Sequence, residues 1–369
     1  MARDQLIDRF VRLCEIPSPT GAEREIADAI LGELRSLGVA AEEDVAAAAA
    51  GAGAGNVIAR IQGSDADRWL LLCAHVDTVP VTGRIEVTES DGVLHTAGQT
   101  ILGADDKAGV AVLLELATLA ASEPPPIGLE LVFTVAEEHG LRGAKELDVS
   151  ALRSEVGLVL DHAAPLEEIV VAAPTYHHLV AAFEGVEAHA GIAPEEGRSA
   201  IAAACAAVAA MQLGRLDAGT TANVGRIEGG TAANVVPGRC RVEGEARGID
   251  EDRAAAAIGA MADACTWAAS ERSCDLDLDL TEFFRGYRIP SASPALRIAR
   301  AAVARIGLPP REIETGGGSD VNALRARGFD CALLANGARD NHTPAESISI
   351  EHLEGLLALA EAAVAEAAA

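Results

Sequence analysis

The sequence predicts an α/β fold: a mostly parallel sheet with helices on both faces, interrupted by a smaller α+β domain. Three observations carry that expectation. Four apolar runs of strand length, LLLCAHVD (70–77), LELVFTVAEE (129–138), VGLVLD (ending at Asp161) and CALLANG (331–337), are continuous rather than alternating, as in strands buried on both faces of a parallel sheet. Aromatic residues make up only 3 % of the chain while half of it is hydrophobic, so the core must be built from Ala, Val, Leu and Ile, which suits Ala-rich helices on Val/Leu strands. Between residues 174 and 283 the rhythm changes to strand, helix, hairpin, helix, strand.

In chain order, residues 3–14 read as a helix stopped by IPSPT, and a second helix is expected near Ala22, with Thr20 as N-cap and Glu23 as its capping-box partner. Residues 46–55, AAAAAGAGAG, are low in complexity and are expected to be a flexible surface loop. The inserted segment begins with TYHHLVAAFEG (175–185) as a strand and SAIAAACAAVAAMQLG (199–214) as a helix. ANVGRIEGG (222–230) and NVVPGRCRVEGEARG (234–248) follow as a hairpin, then 251–270 as a helix and the alternating CDLDLDLTEF (274–283) as a strand. This β-α-β-β-α-β order is the ferredoxin-like arrangement of an antiparallel sheet with one helical face. The expected division is therefore 1–173 with 284–369 as one domain and 174–283 as an inserted lid; at 369 residues the chain exceeds what one compact core usually holds.

Bulk properties exclude several functions. A net charge of −27 repels phosphate backbones and anionic bilayers, so neither nucleic acid nor a membrane surface is an expected partner. Seven scattered cysteines without a Cys-x-x-Cys pair form neither a disulfide framework nor a thiolate zinc site. MARDQLIDRF lacks the apolar stretch of a signal peptide and no apolar run is long enough to span a bilayer, so a cytoplasmic protein is expected.

The four buried runs share one further feature: each leads at its C-terminal end into His, Asp or Glu. In open α/β sheets ligands bind beyond the carboxyl ends of the strands, so four such ends point to one site. In AHVDTVP, His75 and Asp77 stand two apart, and the carboxylate can hold one imidazole N–H while the other nitrogen meets a metal. In LGADDKAG, Asp105 and Asp106 sit where a loop becomes a helix; either could cap it or bridge two cations, and spacing does not choose between them. In TVAEEHG, one of Glu137 and Glu138 can bind metal while its neighbour takes a proton from water. Asp161 and His342 complete a set of two histidines and three carboxylates, suited to two divalent cations such as zinc, manganese or cobalt. No G-x-S-x-G elbow is present, and GGGSD (316–320) lacks the Lys-Ser/Thr of a phosphate loop.

The ordered set HVDTV, LGADDKAG, AEEHG, LD (160–161), EAHAGIAPEEGRSAI, GRIEGGTAANVVPG, GGGSDVNAL and NHTPAES resembles the M20 metallopeptidases, and most closely their peptidase T-like branch. The resemblance implies His75, Asp105, Glu138, Asp161 and His342 as metal ligands, Asp105 being the bridge because it stands two before Lys107. It implies Asp77 as the aspartate behind the histidine ligand and Glu137 as the general base acting on a metal-bridging water. His189 is implied near the scissile carbonyl, and Asn234 and Arg247 at substrate carboxylate or backbone. Two divalent metal ions, zinc first, and a short peptide cleaved at its N-terminal residue follow from the same resemblance, with a monomer or homodimer both allowed. Alternatives on the same centre are a carboxypeptidase, a dipeptidase or an N-acyl-amino-acid hydrolase. A non-catalytic binding protein would have no need of Glu137.

Overall fold

The computed structural model describes residues 2–163 and 165–369 and divides the chain into two compact units. Residues 1–171, 288–314 and 319–369 form the first, and 172–287 with 315–318 the second.

The first unit is built on a sheet whose central strands run in the order Val57–Ile61, Ile127–Thr134, Asp65–His75, Val156–His162, Asp330–Ala335 and Glu168–Ala173. The middle four are mutually parallel, with His75 opposite Thr134, Leu72 opposite Leu158 and Leu333 opposite Val159. Antiparallel strands flank them on both sides. All eight residues of Ile127–Thr134 are buried; because alternate side chains point to opposite faces, both faces are covered. The helix Ala104–Ser122 makes the crossover between two of the parallel strands and packs on Asp65–His75. Helix Ile350–Ala368 packs against it, and Pro294–Arg305 against the latter. The four apolar runs are thus the four parallel strands, and their carboxyl ends lie side by side.

The second unit is a five-stranded antiparallel sheet in the order Gly214–Arg215, Thr220–Gly229, Arg239–Gly248, Thr175–Glu184, Asp275–Phe284. Helices Ala200–Ala210 and Glu251–Glu271 cover one face through Leu179, Ala181, Phe183, Ala203, Ala207 and Met261. Along the edge strand Asp275, Asp277 and Asp279 are exposed while Leu276 and Leu278 pack on that core.

Two local expectations are overturned. The second helix begins at Arg24 with Glu23 as its N-cap residue and no side-chain cap. Thr20 instead donates its hydroxyl to Asp77 at 2.6 Å, and the Glu23 carboxylate accepts the N–H groups of Gly21 and Gly53. A partner distant in sequence has displaced the local capping box. The Ala/Gly stretch is no loose loop either: Ala47–Ala50 is a short helix, and Ala46, Ala50 and Ala54 are buried. A Cβ at Gly55 would stand 2.2 Å from the Asp44 carbonyl oxygen, so glycine permits that close approach. A small sheet of Val87–Ser90, Val93–Thr96 and Ser347–Ser349 was not anticipated. Among the described residues all seven cysteines are free, and no helix is long and apolar enough to cross a membrane.

Candidate metal centre

His75 is the last residue of its strand and is nearly fully buried. Its Nδ1 lies 2.9 Å from the main-chain carbonyl of Asp77 and 3.6 Å from that residue's carboxylate. The tautomer-fixing contact therefore runs to the backbone of Asp77 rather than chiefly to its side chain, and Nε2 is left facing the site. That nitrogen is 3.4 Å from Asp105 Oδ1 and 3.4 Å from Asp161 Oδ1. Asp105 presents its other oxygen, Oδ2, to His342 Nε2 at 3.2 Å, and the same His342 nitrogen lies 2.9 Å from Glu138 Oε1. One carboxylate thus faces two histidine–carboxylate pairs, one through each oxygen.

Backbone conformation serves this arrangement. After Ile127–Thr134 the chain turns through Ala136 at φ +50°, so that Glu137 and Glu138 follow at the end of the strand. The buried Asp77 carboxylate receives both of their N–H groups, Glu137 at 2.9 Å and Glu138 at 3.2 Å. His342 itself has φ +65°, and beside it Asn341 donates to Asp105 Oδ2 at 2.8 Å.

The donor set fits divalent cations. Compact groups form from His75, Asp105 and Glu138 and from His75, Asp106 and Asp161, each with one donor atom per residue, all within 4.8 Å of one another. The second group brings in Asp106, whose Oδ1 is already bonded by Asn336 at 3.1 Å and by the Gly109 N–H at 3.3 Å. Asp105 Oδ1, Asp106 Oδ2 and Glu138 Oε1 are buried without a well-aligned hydrogen bond. Buried carboxylate oxygens of this kind are costly unless something positive meets them.

The titration behaviour agrees. Burial, reinforced by the nearby charge of Asp161, pushes the Glu137 carboxyl well above its ordinary value. His342 is pushed up to about 10 by its hydrogen bonds to Asp105 and Glu138. Asp320, in the GGGSD segment, is buried and pushed up to about 6 by that burial, although Thr134 donates to it. Nothing in its local sequence separates it from a helix-initiating aspartate.

The remaining residues singled out from the sequence belong to the second unit. His189 is exposed in the short strand Ala188–His189, opposite Val235, and the Ala190 N–H donates to the Asn234 carbonyl at 2.9 Å. Arg247 pairs with Glu245 at 3.1 Å, lies over the Tyr176 ring at 4.3 Å and donates to the Gly316 carbonyl at 3.2 Å.

Comparison with known proteins gives two family matches: the peptidase dimerisation domain of the M20 type over residues 176–273, and peptidase family M28 over residues 56–170. The chain is 36 % identical to the crystal structure of aminopeptidase PepT from Bacillus cereus, covering 100 % of this chain and 99 % of that one with a TM-score of 0.87. It is 33 % identical to a tripeptidase from Staphylococcus aureus, with 99 % and 98 % of the two chains covered and a TM-score of 0.92. A dinuclear metal binding peptidase of the M20 family from Bacillus subtilis shares the fold at 19 % identity and a TM-score of 0.73, over 99 % and 98 % of the two chains.

Proposed function

The chain belongs to the M20 metallopeptidases, in their peptidase T-like branch, and from that premise we propose that it releases the N-terminal residue of short peptides at a site holding two divalent cations. The observation that carries the proposal is the position of Asp105, whose two oxygens face His75 with Asp161 and His342 with Glu138. His75 and Asp161 would hold one cation and Glu138 and His342 the other, with Asp105 shared. Zinc suits the donors best, with manganese or cobalt as substitutes.

Two bound cations would supply Lewis acidity, lowering the pKa of water and polarising the peptide carbonyl. The chain's own part is proton handling and orientation. Glu137 accepts a proton from the attacking water as its oxygen bonds to the carbonyl carbon, and delivers that proton to the amine as the C–N bond breaks. Asp77 orients both glutamates through their backbone N–H groups. His189 is assigned to the scissile carbonyl, and Asn234 and Arg247 to the substrate's carboxylate or backbone. The match to a dimerisation domain favours a homodimer over a monomer.

Metal dependence is tested by stripping the full-length protein with a chelator and titrating zinc, manganese or cobalt back while following tripeptide cleavage. Activity should return as about two equivalents are bound. Undiminished cleavage by fully stripped protein would contradict the proposal.

A further inference from the structure

Glu346 is almost completely buried, and its carboxylate receives three backbone N–H groups from a segment remote in sequence. Oε2 accepts from Leu102 at 2.8 Å and from Gly103 at 2.7 Å, while Oε1 accepts from Asp105 at 3.0 Å. These donors lie just before and within the first turn of helix Ala104–Ser122, where N–H groups have no partner within the helix and anionic charge is favoured. The residue sits in TPAES, a stretch with the look of solvated surface.

The other half of the relationship is the loop that carries it. Arg339 and Ser347 exchange both main-chain hydrogen bonds, at 2.9 and 3.1 Å, closing residues 339–347 on themselves. Ser347–Ser349 is further fixed by pairing with Val93–Thr96. Three members of this one loop reach Asp105: Asn341 and His342 meet its Oδ2, and Glu346 meets its backbone N–H. Asp105 is therefore held to this loop both through its backbone N–H and through its carboxylate.

We propose that Glu346 is a positioning residue for the shared carboxylate, locking the Asp105 turn to the His342 loop so that both metal positions are preformed. The inference rests on the two-cation reading of the site, and it assigns no chemical step to Glu346 itself. Partners of this kind, one shell removed from ligands, are worth about 10–100-fold in metal affinity. Glu346→Gln is the sharpest probe. Its amide retains one acceptor oxygen but places donors against an N–H group, so the grip on Leu102 and Gly103 and the grip on Asp105 cannot both survive.

The test is calorimetric titration of cobalt or zinc into metal-stripped, full-length wild type, Glu346→Gln and Glu137→Gln, alongside melting of the metal-free proteins. Two-ion binding by wild type, at least about tenfold weaker in Glu346→Gln and unchanged in Glu137→Gln, is the expected result. The metal-free melting point of Glu346→Gln should fall by no more than a few degrees, as a lost buried hydrogen bond requires, and its peptide KM should be normal once metal is saturating. Equal affinity in wild type and Glu346→Gln would overturn the proposal while leaving the metal centre intact. Absence of paired binding in wild type would instead overturn the two-cation reading and this inference with it. Should the glutamine variant fail to fold, amide exchange in wild type decides: protection of Leu102, Gly103 and Asp105 is expected, and fast exchange there overturns it.

Discussion

Asp77 Oδ1 accepts the backbone N–H of Glu137 at 2.9 Å, which ties the segment following His75 to the residue assigned to proton transfer. The second oxygen of Asp77 takes the Glu138 N–H at 3.2 Å and the Thr20 hydroxyl at 2.6 Å. A single buried carboxylate therefore sets the spacing of two site residues, Glu137 and Glu138, and ties them to Thr20. In Asp77→Asn one acceptor oxygen becomes a donor facing an N–H group. The expected outcome is a loss of about 1–3 kcal/mol in stability and about 10–100-fold weaker metal binding, read by urea unfolding and calorimetry. Thr20→Ala removes a single partner and should cost about 1 kcal/mol with metal affinity nearly kept.

Glu137→Gln separates proton transfer from binding. Its side chain is not among the ligands assigned above, so metal stoichiometry should hold while turnover falls by about 10²–10⁴-fold. Single-turnover kinetics with saturating metal make the comparison. Near-normal turnover would remove Glu137 from the mechanism.

Metal binding should release protons. His342 is pushed up to about 10 by Asp105 and Glu138. Burial pushes the His75 imidazole down, but the carboxylates of Asp161, Asp105 and Asp77 outweigh it and hold the group well above its ordinary value. Both shifts favour the protonated rings in the metal-free protein, whereas ligation needs them neutral. Titration at pH 7 in buffers of different ionisation enthalpy should show net proton release, with affinity rising from pH 6 to 8. Affinity independent of pH would contradict this.

Away from the site, Asp330 supplies an acid-sensitive staple. Its carboxylate accepts from Ser293 at 2.7 Å, from the Ala295 N–H at 3.1 Å and from Arg325 at 2.8 Å. Burial pushes the carboxyl up, but these donors outweigh it and hold it below its ordinary value. A carboxylate lowered in the folded state stabilises above its unfolded pKa, about 3.9, and loses that contribution as pH falls through the lower folded value. Asp330→Asn should cost about 1–3 kcal/mol at pH 7, with the gap from wild type narrowing only below about pH 4. A gap independent of pH down to the acid transition would argue against the staple.

The sheet was legible because buried parallel strands are continuous in apolar residues, and Leu70–Cys73 and Leu129–Phe133 have no other use for such runs. The residues proposed as ligands stand out in the sequence because each lies at or after the end of such a strand or in a motif of fixed spacing. Thr20 was misread because its partner, Asp77, is far away in sequence; the local capping pattern carries no trace of that contact. The Ala/Gly stretch was misread because low complexity conceals how well Ala46, Ala50 and Ala54 pack. Asp320 and Glu346 were passed over for the same reason in reverse: their neighbours look polar and exposed, and only the folded chain buries them. Spacing alone left Asp105 and Asp106 equivalent; in the fold Asp106 is tied to Asn336 and Gly109 while Asp105 lies between the histidines.

The most direct test of the central claim is mass spectrometry of the products from metal-loaded protein given one tripeptide of three different residues, free or N-acetylated. Release of the first residue from the free peptide alone is the expected result, since an N-terminal exopeptidase needs the free amine. Cleavage of the acetylated peptide, or release of the last residue, would contradict it and move the same centre to a deacylase or carboxypeptidase.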